Sequence, residues 1–184
     1  MSKVSISAFK PTANDVLLMD TNILIYLFYP TMSRYFMKPY EKLYADILSK
    51  HASLIIPAIQ LSEFINRCIR LQFELYKNEH ASENIVDFKK DYRSTNDYKA
   101  SMESILDIVK NDILKTFKPI DDYFSSMKPD SFLLYGFSYD FNDALLVEIA
   151  NKYNASIITH DSDFGNYRTH KKIITDNSIL LKFQ

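Results

Sequence analysis

The stretch VLLMDTNILIYLF, at residues 16–28, decides the fold of this chain. Its first four residues form a continuous apolar run, which is typical of a strand buried on both faces in a parallel sheet. The run ends at Asp20, and the DTN sequence at residues 20–22 favours a turn and the start of a helix. Residues 23–28 then predict a short apolar helix that ends before Pro30. A buried strand that leads directly into a helix indicates an α/β fold.

The same alternation of strands and helices continues along the chain. Short apolar runs predict further strands, at residues 53–56, 155–159, 172–175 and 179–183. Apolar residues at three- and four-residue spacing predict helices, over residues 39–50, 61–75, 102–117 and 141–153. Asp140 is placed to cap the last of these helices. Strands that alternate with helices predict a three-layer α/β/α fold around a central, mostly parallel sheet of four to five strands.

The length of 184 residues fits one domain. Residues 1–14 are polar and irregular, so we expect an N-terminal tail or an edge element there. Residues 15–184 are expected to form a single domain, extended by a helical segment around residues 80–118. That segment has equal numbers of acidic and basic residues from Glu83 to Lys118, so it indicates a solvated surface and not a basic patch.

Composition and charge exclude several common function classes. Gly136 and Gly165 are the only glycines, so the glycine-rich phosphate loops of P-loop NTPases and dinucleotide-binding folds cannot be built. The single cysteine, Cys68, excludes an intrachain disulfide and agrees with a reducing cytoplasm. A net charge of −1 gives no overall attraction for nucleic acid, so a polyanionic substrate needs a local patch or bound cations. We expect a cytoplasmic protein with no membrane partner, since no run of about 18 apolar residues occurs.

Acidic residues follow the predicted strands or lie near helix starts. Asp20 ends the first strand, Asp161 and Asp163 follow the strand at residues 155–159, and Glu63 and Asp143 lie early in two helices. Each acid alone is explained by a turn, a helix-start charge or solvent exposure. Ligands of an open parallel sheet bind at the carboxyl ends of its strands, however, and all four segments deliver acids to that edge. The joint pattern therefore indicates a functional site.

Carboxylates gathered in this way require raised pKa values or bound cations. Two of them about 4 Å apart repel by about 4 kcal/mol at an effective dielectric constant near 20. Oxygen ligands without histidine or cysteine partners favour Mg²⁺ or Mn²⁺ over zinc. We do not expect His160 to act as the catalytic base, because neighbouring strand residues point to opposite faces and Asp161 follows it.

The acidic segments resemble the four acidic motifs of the PIN-domain nuclease family, which includes the VapC-like ribonucleases. In the order of the family, they are LMDTN at residues 18–22, SEF at 62–64, DALLVEIA at 143–150 and ITHDSDF at 158–164. The resemblance implies a PIN-like fold and Mg²⁺- or Mn²⁺-dependent cleavage of RNA. The catalytic, metal-binding residues that it implies are Asp20, Glu63, Asp143 and Asp161. Supporting residues would be Asn22, Thr159 and Asp163.

Partners follow from the same resemblance and from the surface residues. RNA would be the substrate, and a toxin of this family would have a cognate antitoxin. The basic candidates for RNA binding are Arg67, Arg70, Arg168, Lys171 and Lys172; those in the 168–172 run are equally well explained as a solvated loop. We also predict a homodimer, because the predicted helices over residues 35–44 and 61–76 carry more apolar residues than one sheet face covers. In the alternative interpretation, residues 80–118 cover them within one chain.

Two other function classes remain open at this point. A non-catalytic PIN-type domain would bind RNA or protein without cleaving it, but such a domain has no need of all four acids. A phosphatase-type or receiver-type domain would be built around a strand-end aspartate. Phosphatases of that kind need a second aspartate where this chain has Asn22, and receivers need a lysine at a late strand end, where it has Thr159.

Overall fold

Six parallel strands form one sheet in the computed structural model, which describes residues 2–29, 38–83, 85–133 and 140–182. They are β1 (Ser2–Ser5), β2 (Val16–Met19), β3 (Ser53–Pro57), β4 (Phe117–Ile120), β5 (Ser156–Ile158) and β6 (Lys172–Thr175). Their order across the sheet is β1-β6-β5-β2-β3-β4. The sheet is therefore wider than the predicted four to five strands. Strand β1 is an edge strand, so the first residues form the edge element that was one of the two expectations.

Eight α-helices connect and cover these strands within the described residues. They are α1 (Thr21–Phe28), α2 (Lys38–Ser49), α3 (Ala58–Glu79), α4 (Asn96–Ile108), α5 (Leu114–Thr116), α6 (Pro129–Phe132), α7 (Phe141–Lys152) and α8 (Ser178–Lys182). Residues Phe88–Tyr92 and Val109–Ile113 form π-helical turns, and Ser162–Asn166 form a 3₁₀ turn. The four helices predicted from apolar spacing, and the short helix after Asp20, are all present.

One sequence prediction of element type was wrong, and one strand was missed. The helix predicted over residues 102–117 ends at Thr116, and Phe117 begins β4. This strand was missed because it contains Pro119, which a sheet tolerates at an edge. The strand predicted over residues 179–183 is helix α8 in its described part, because Asn177 Oδ1 accepts hydrogen bonds from the first main-chain N–H groups of that helix.

Alternate side chains of the central strands enter two separate cores. Leu17 and Met19 pack with helices α1 to α4 in one core, and Leu18 packs with α7 in the other. All three side chains are fully buried. Because successive strand residues point to opposite faces, the continuous apolar run of β2 requires helices on both sides of the sheet. The predicted three-layer α/β/α fold is confirmed.

The segment at residues 80–118 folds against α3. Phe88 and Tyr92 pack on Phe73 with ring centroids 5.4 and 5.3 Å away, and Tyr76 lies 5.0 Å from Tyr92. Phe73 and Tyr92 are buried as a result. Part of the apolar surface that suggested a homodimer is therefore covered within the chain, as the alternative interpretation held. The homodimer itself stays a prediction.

Two further expectations concern the helix predicted over residues 35–44 and the absence of a membrane-spanning segment. Residues 35–37 of the predicted helix over 35–44 lie outside the described part of the chain, where α2 begins at Lys38. Across the described ranges, no helix combines the length and the hydropathy needed to span a membrane.

The order of the strands identifies one edge position as special. The chain runs from β2 to β3 and β4 on one side, and then returns to place β5 on the other side of β2. Ligands of open α/β sheets bind where the strand order reverses, at the carboxyl ends of the strands. In this fold that position lies between the ends of β2 and β5.

Candidate functional site

Asp20 lies at this reversal point and is held by its neighbours. Its main-chain N–H donates to the oxygen of Ile158 on β5 at 2.8 Å. Thr159 Oγ1 donates to Asp20 Oδ2 at 2.9 Å, and Asn22 Nδ2 donates to the same oxygen at 3.3 Å. Although Asp20 occupies the N-cap position of α1, its side chain makes no capping hydrogen bond. The carboxylate is therefore directed to β5 and not used to begin the helix.

Glu63 on α3 is tied to the same point. Its Oε2 accepts a hydrogen bond at 3.0 Å from Oγ1 of Thr21, the residue that follows Asp20. Its Oε1 lies 3.5 Å from Nη1 of Arg67, one helical turn further along α3. Glu63 is thus connected to the start of α1 on one side and to the Arg67 guanidinium on the other.

Asp143 lies in the first turn of α7, but Asp140 caps that helix. Asp140 Oδ1 accepts hydrogen bonds from the main-chain N–H groups of Asn142 at 2.7 Å and Asp143 at 3.2 Å. This confirms the predicted cap. Within the described residues, the structure shows no hydrogen bond to the Asp143 carboxylate. The helix start therefore does not need this carboxylate as a cap.

Thr159 connects Asp161 to Asp20. The Asp161 N–H donates to Thr159 Oγ1 at 2.9 Å, and the same hydroxyl donates to Asp20. Asp161 Oδ1 accepts a hydrogen bond from the Asp163 N–H at 2.9 Å, which begins the 3₁₀ turn. Asp163 therefore supports Asp161 through its main chain.

The pKa values show that the four predicted acids act on one another. Burial, followed by the charges of Asp20, Asp140, Asp161 and Glu63 in that order, raises the pKa of Asp143 to about 8. Burial raises the pKa of Asp20 to about 6, the Thr159 hydrogen bond lowers it, and the charges of Asp161 and Glu63 raise it. Ionising all four acids together is therefore unfavourable without a cation nearby.

The chemistry of the four carboxylates suits a hard divalent cation, but the described side chains are not arranged around one. All four side chains offer carboxylate oxygens, which Mg²⁺ and Mn²⁺ prefer. A cation nearby would lower the raised pKa values of Asp20 and Asp143, because its positive charge stabilises the ionised carboxylates. Among residues 2–29, 38–83, 85–133 and 140–182, no group of three or more histidine, cysteine, aspartate or glutamate side chains is arranged to hold a metal ion.

Sequence reasoning missed Gln60, which is buried at the carboxyl end of β2. Its Nε2 donates to the main-chain oxygen of Met19. Pro57 ends the neighbouring strand β3 and has no N–H group to donate there. Gln60 Oε1 is buried, and no hydrogen-bond partner for it lies in the described part of the chain. A proline at the end of a central strand, followed three residues later by an amide, is the signal that could have revealed this role.

Tyr40 on α2 was also missed, because its spacing only marked it as a core residue. Its hydroxyl lies 3.2 Å from the main-chain oxygen of Thr159 and 2.8 Å from Nδ1 of His160, and it accepts from the Asp176 N–H at 3.1 Å. It therefore joins the carboxyl ends of β5 and β6 beside the acids. Nδ1 of His160 takes part in a hydrogen bond with Tyr40, and the expectation that His160 is not the catalytic base stays a prediction.

The structure separates the two groups of basic residues predicted to bind RNA. Arg67 and Arg70 lie on α3 beside Glu63. Arg168 lies near the far end of α7, where Nδ2 of Asn151 donates to its main-chain oxygen at 3.2 Å. Eight residues of helix, about 12 Å, separate Asn151 from Asp143. Lys171 and Lys172 follow Arg168 toward the amino end of β6, so this run is not brought to the acids.

A comparison with protein-family models agrees with this fold. The sequence profile of the PIN domain family matches residues 17–169. A comparison with curated proteins finds no match. One similar solved structure is that of VapBC2 from Rickettsia felis bound to a DNA fragment from their promoter, at 20% sequence identity and a TM-score of 0.46. The match covers 86% of this chain and 96% of that chain.

Proposed function

Because this chain belongs to the PIN domain family, we propose that it is an endoribonuclease that hydrolyses RNA phosphodiester bonds with Mg²⁺ or Mn²⁺. One observation carries the proposal. Burial, together with the charges of acids from separate segments, raises the pKa values of Asp20 and Asp143 at the reversal point of the sheet. Titratable groups with strongly perturbed pKa values at such a position favour a functional site over a purely structural one.

Asp20, Glu63, Asp143 and Asp161 are the residues that would hold the metal. A divalent metal bound there lowers the pKa of a water molecule and neutralises the charge that develops on the phosphate. Surrounding side chains orient two of the four carboxylates. Thr159 and Asn22 fix Asp20, and Thr21 fixes Glu63. In-line attack by water would leave a 5′-phosphate and a 3′-hydroxyl on the products.

A cleavage assay with matched variants tests the proposal. End-labelled single-stranded RNA is incubated with the protein in MgCl₂, MnCl₂ or EDTA, and the product ends are analysed. We expect cleavage with either metal and none with EDTA. Asp143→Asn should lower the rate by about 10²-fold or more.

Asp140→Asn is the matched control for this assay. It removes a charge that contributes to the raised pKa of Asp143 but not a carboxylate assigned to the metal, and asparagine caps helices as well as aspartate does. We expect its cleavage rate to stay close to that of the parent. Equal rates for the parent and Asp143→Asn would contradict the proposal, and RNA binding without cleavage in any metal would favour the non-catalytic alternative.

The toxin–antitoxin relationship is a narrower part of the proposal. A cognate antitoxin would be encoded beside this chain, as a small neighbouring reading frame for a DNA-binding protein. Co-expression of that frame should suppress cleavage by the purified complex. Its absence from the neighbourhood would leave the ribonuclease proposal in place without an antitoxin.

A further inference from the structure

Helices α1 and α3 enclose a cleft that continues from the acidic site. Its volume is about 380 Å³, and residues of both helices line it. At the acidic end lie Asn22, which bonds to Asp20 at 3.3 Å, and Arg67, which lies 3.5 Å from Glu63. A polymer bound with one of its groups at the acids would therefore continue directly into this α1–α3 cleft.

The side chains along the α1–α3 cleft suit a polyanion with aromatic bases. Arg67 and Arg70 lie one helical turn apart on α3, and Tyr26 of α1 presents a ring on the opposite wall. Glu74 adds one negative charge, but Lys77 lies 2.8 Å from its Oε2 and balances it. Positive charges bind the backbone of single-stranded RNA, and aromatic rings stack on its bases.

Arg70 is held in place by the 80–118 segment. Its guanidinium carbon lies 3.8 Å from the ring centroid of Phe88. A guanidinium stacked by its face keeps its N–H edges available for a phosphate. In the described ranges, no hydrogen bond or ion pair occupies these N–H groups. The 80–118 segment thus positions Arg70 in the cleft through the ring of Phe88.

We propose that the α1–α3 cleft binds the single-stranded RNA that flanks the cleaved bond, with Arg67 and Arg70 on its phosphates and Tyr26 against a base. This inference rests on the proposed ribonuclease function. It assigns the RNA path to α3 and not to the basic run at residues 168–172, which lies at the other end of α7 from Asp143.

The first test measures RNA binding without catalysis. Fluorescence anisotropy follows a fluorescein-labelled 12-nucleotide single-stranded RNA in EDTA, from low to moderate KCl concentration. Arg70→Ala should weaken binding by at least about 5-fold and reduce the slope of log K against log salt by about 0.7, the value for one phosphate contact on a single strand. Arg70→Lys should retain the slope but bind less tightly than the parent, because lysine cannot stack or form a bidentate pair.

Two further variants make the result specific. Arg93→Ala is the matched control, since Arg93 is also stacked on a ring, that of Tyr98, but lies outside the cleft. Its affinity should stay within about twofold of the parent, and Arg168→Ala should behave in the same way. Equal losses in Arg70→Ala and Arg93→Ala, a larger loss in Arg168→Ala, or no binding by the parent would overturn the proposal.

The second test locates the RNA directly. RNA that contains 4-thiouridine is crosslinked to the parent protein by ultraviolet light, and the adducts are mapped by mass spectrometry. We expect adducts on the peptides that contain Tyr26 or residues 67–74. Adducts confined to residues 165–171 would overturn the assignment. Neither test depends on cleavage, so a failed cleavage assay together with normal crosslinks would reject the ribonuclease function and keep the cleft as an RNA-binding site.

Discussion

The carboxylates at the sheet edge and those of the 80–118 segment have opposite surroundings. Asp20 and Asp143 are desolvated and face other acids, and both have raised pKa values. Asp91, in the 80–118 segment, accepts hydrogen bonds from the N–H groups of Asp87 at 2.7 Å and Val86 at 3.0 Å. These bonds lower the pKa of Asp91. Asp91 stabilises a turn in its charged form, whereas the charged forms of Asp20 and Asp143 are unfavourable in the metal-free fold.

This difference distinguishes structural acids from functional ones. Natural chains keep unfavourable groups chiefly where function needs them, and the loss of stability is a common consequence. Asp87, Asp91 and Thr95 all accept bonds from nearby main-chain N–H groups, so they shape the segment. The acids at the reversal point accept few hydrogen bonds from main-chain N–H groups, and their charges raise the pKa values of Asp20 and Asp143. The comparison therefore yields tests in which the same substitution acts differently in the two regions.

The largest expected effect is on catalysis. Asp20→Asn should lower the rate of RNA cleavage by about 10²-fold or more, because it removes a charge that would hold the metal. Asp91→Asn makes the same chemical change in the 80–118 segment and should leave the rate unchanged. Cleavage rates at matched metal concentration and circular dichroism spectra of both variants provide the measurement. A similar loss in both variants would show that the comparison does not separate functional from structural acids.

The next effect is the stabilisation by metal. At about 100 times its dissociation constant, a metal bound at one site adds roughly 2.7 kcal/mol to the free energy of unfolding. For a domain of this size, that corresponds to an increase of roughly 5 to 10 °C in Tm. Thermal melts with stepwise MgCl₂ or MnCl₂ should show this shift in the parent and in Asp91→Asn, and a much smaller one in Asp143→Asn. Equal shifts in all three proteins would mean that the acids do not form one metal site.

A smaller effect concerns the pH dependence of stability in EDTA. Because the folded pKa values of Asp20 and Asp143 are about 6 and about 8, the folded protein retains protons above about pH 4 that the unfolded chain releases. The free energy of unfolding should therefore fall as the pH rises from about 4 to about 8. Asp91 acts in the opposite direction, since its lowered pKa gives stability that is lost on acidification.

Asp143→Asn should remove part of that pH dependence. Urea unfolding at pH 5 and pH 8 measures it, and the parent should lose on the order of 1 to 3 kcal/mol more than the variant between the two pH values. The variant should also be the more stable protein at pH 8 without metal. Parallel pH profiles for the parent and Asp143→Asn would contradict the view that the carboxylate is held at a cost to stability.

Much of this architecture could be predicted because it depends on local patterns. The apolar run of β2 and the helix that follows Asp20 depend on neighbouring residues. Asp20 and Asp161 follow strand ends. Strand β4 could not be predicted, since Lys118 and Pro119 interrupt its apolar pattern and its place comes from pairing with β3. The contact of Arg70 with Phe88 likewise depends on how the 80–118 segment folds back.

The homodimer remains a prediction that light scattering tests, since a monomer has a mass of 21.5 kDa.

The candidate site shows the same limit, since sequence analysis named its acids and the supporting residues close to them in the chain, but not the supports from distant segments. Tyr40 and Gln60 reach the site from distant segments, so no motif spacing marks them. The family resemblance implied Thr159 as a supporting residue, and the structure adds that its hydroxyl accepts from the Asp161 N–H and donates to Asp20. Local patterns reveal which groups are present, while tertiary packing decides which of them touch.

The smallest expected effect separates two acids within one loop. Asp163 supports Asp161 through its main-chain N–H, which asparagine retains, so Asp163→Asn should change the cleavage rate by less than about 3-fold. Asp161→Asn keeps an oxygen that can accept this N–H but removes the charge, so we expect a loss comparable to that of Asp20→Asn. Cleavage rates of the two variants, measured at several MgCl₂ concentrations, provide the comparison. If both lose activity equally, and excess metal restores neither, then the Asp163 carboxylate is itself part of the metal site, and the assignment of its role to the main chain is wrong.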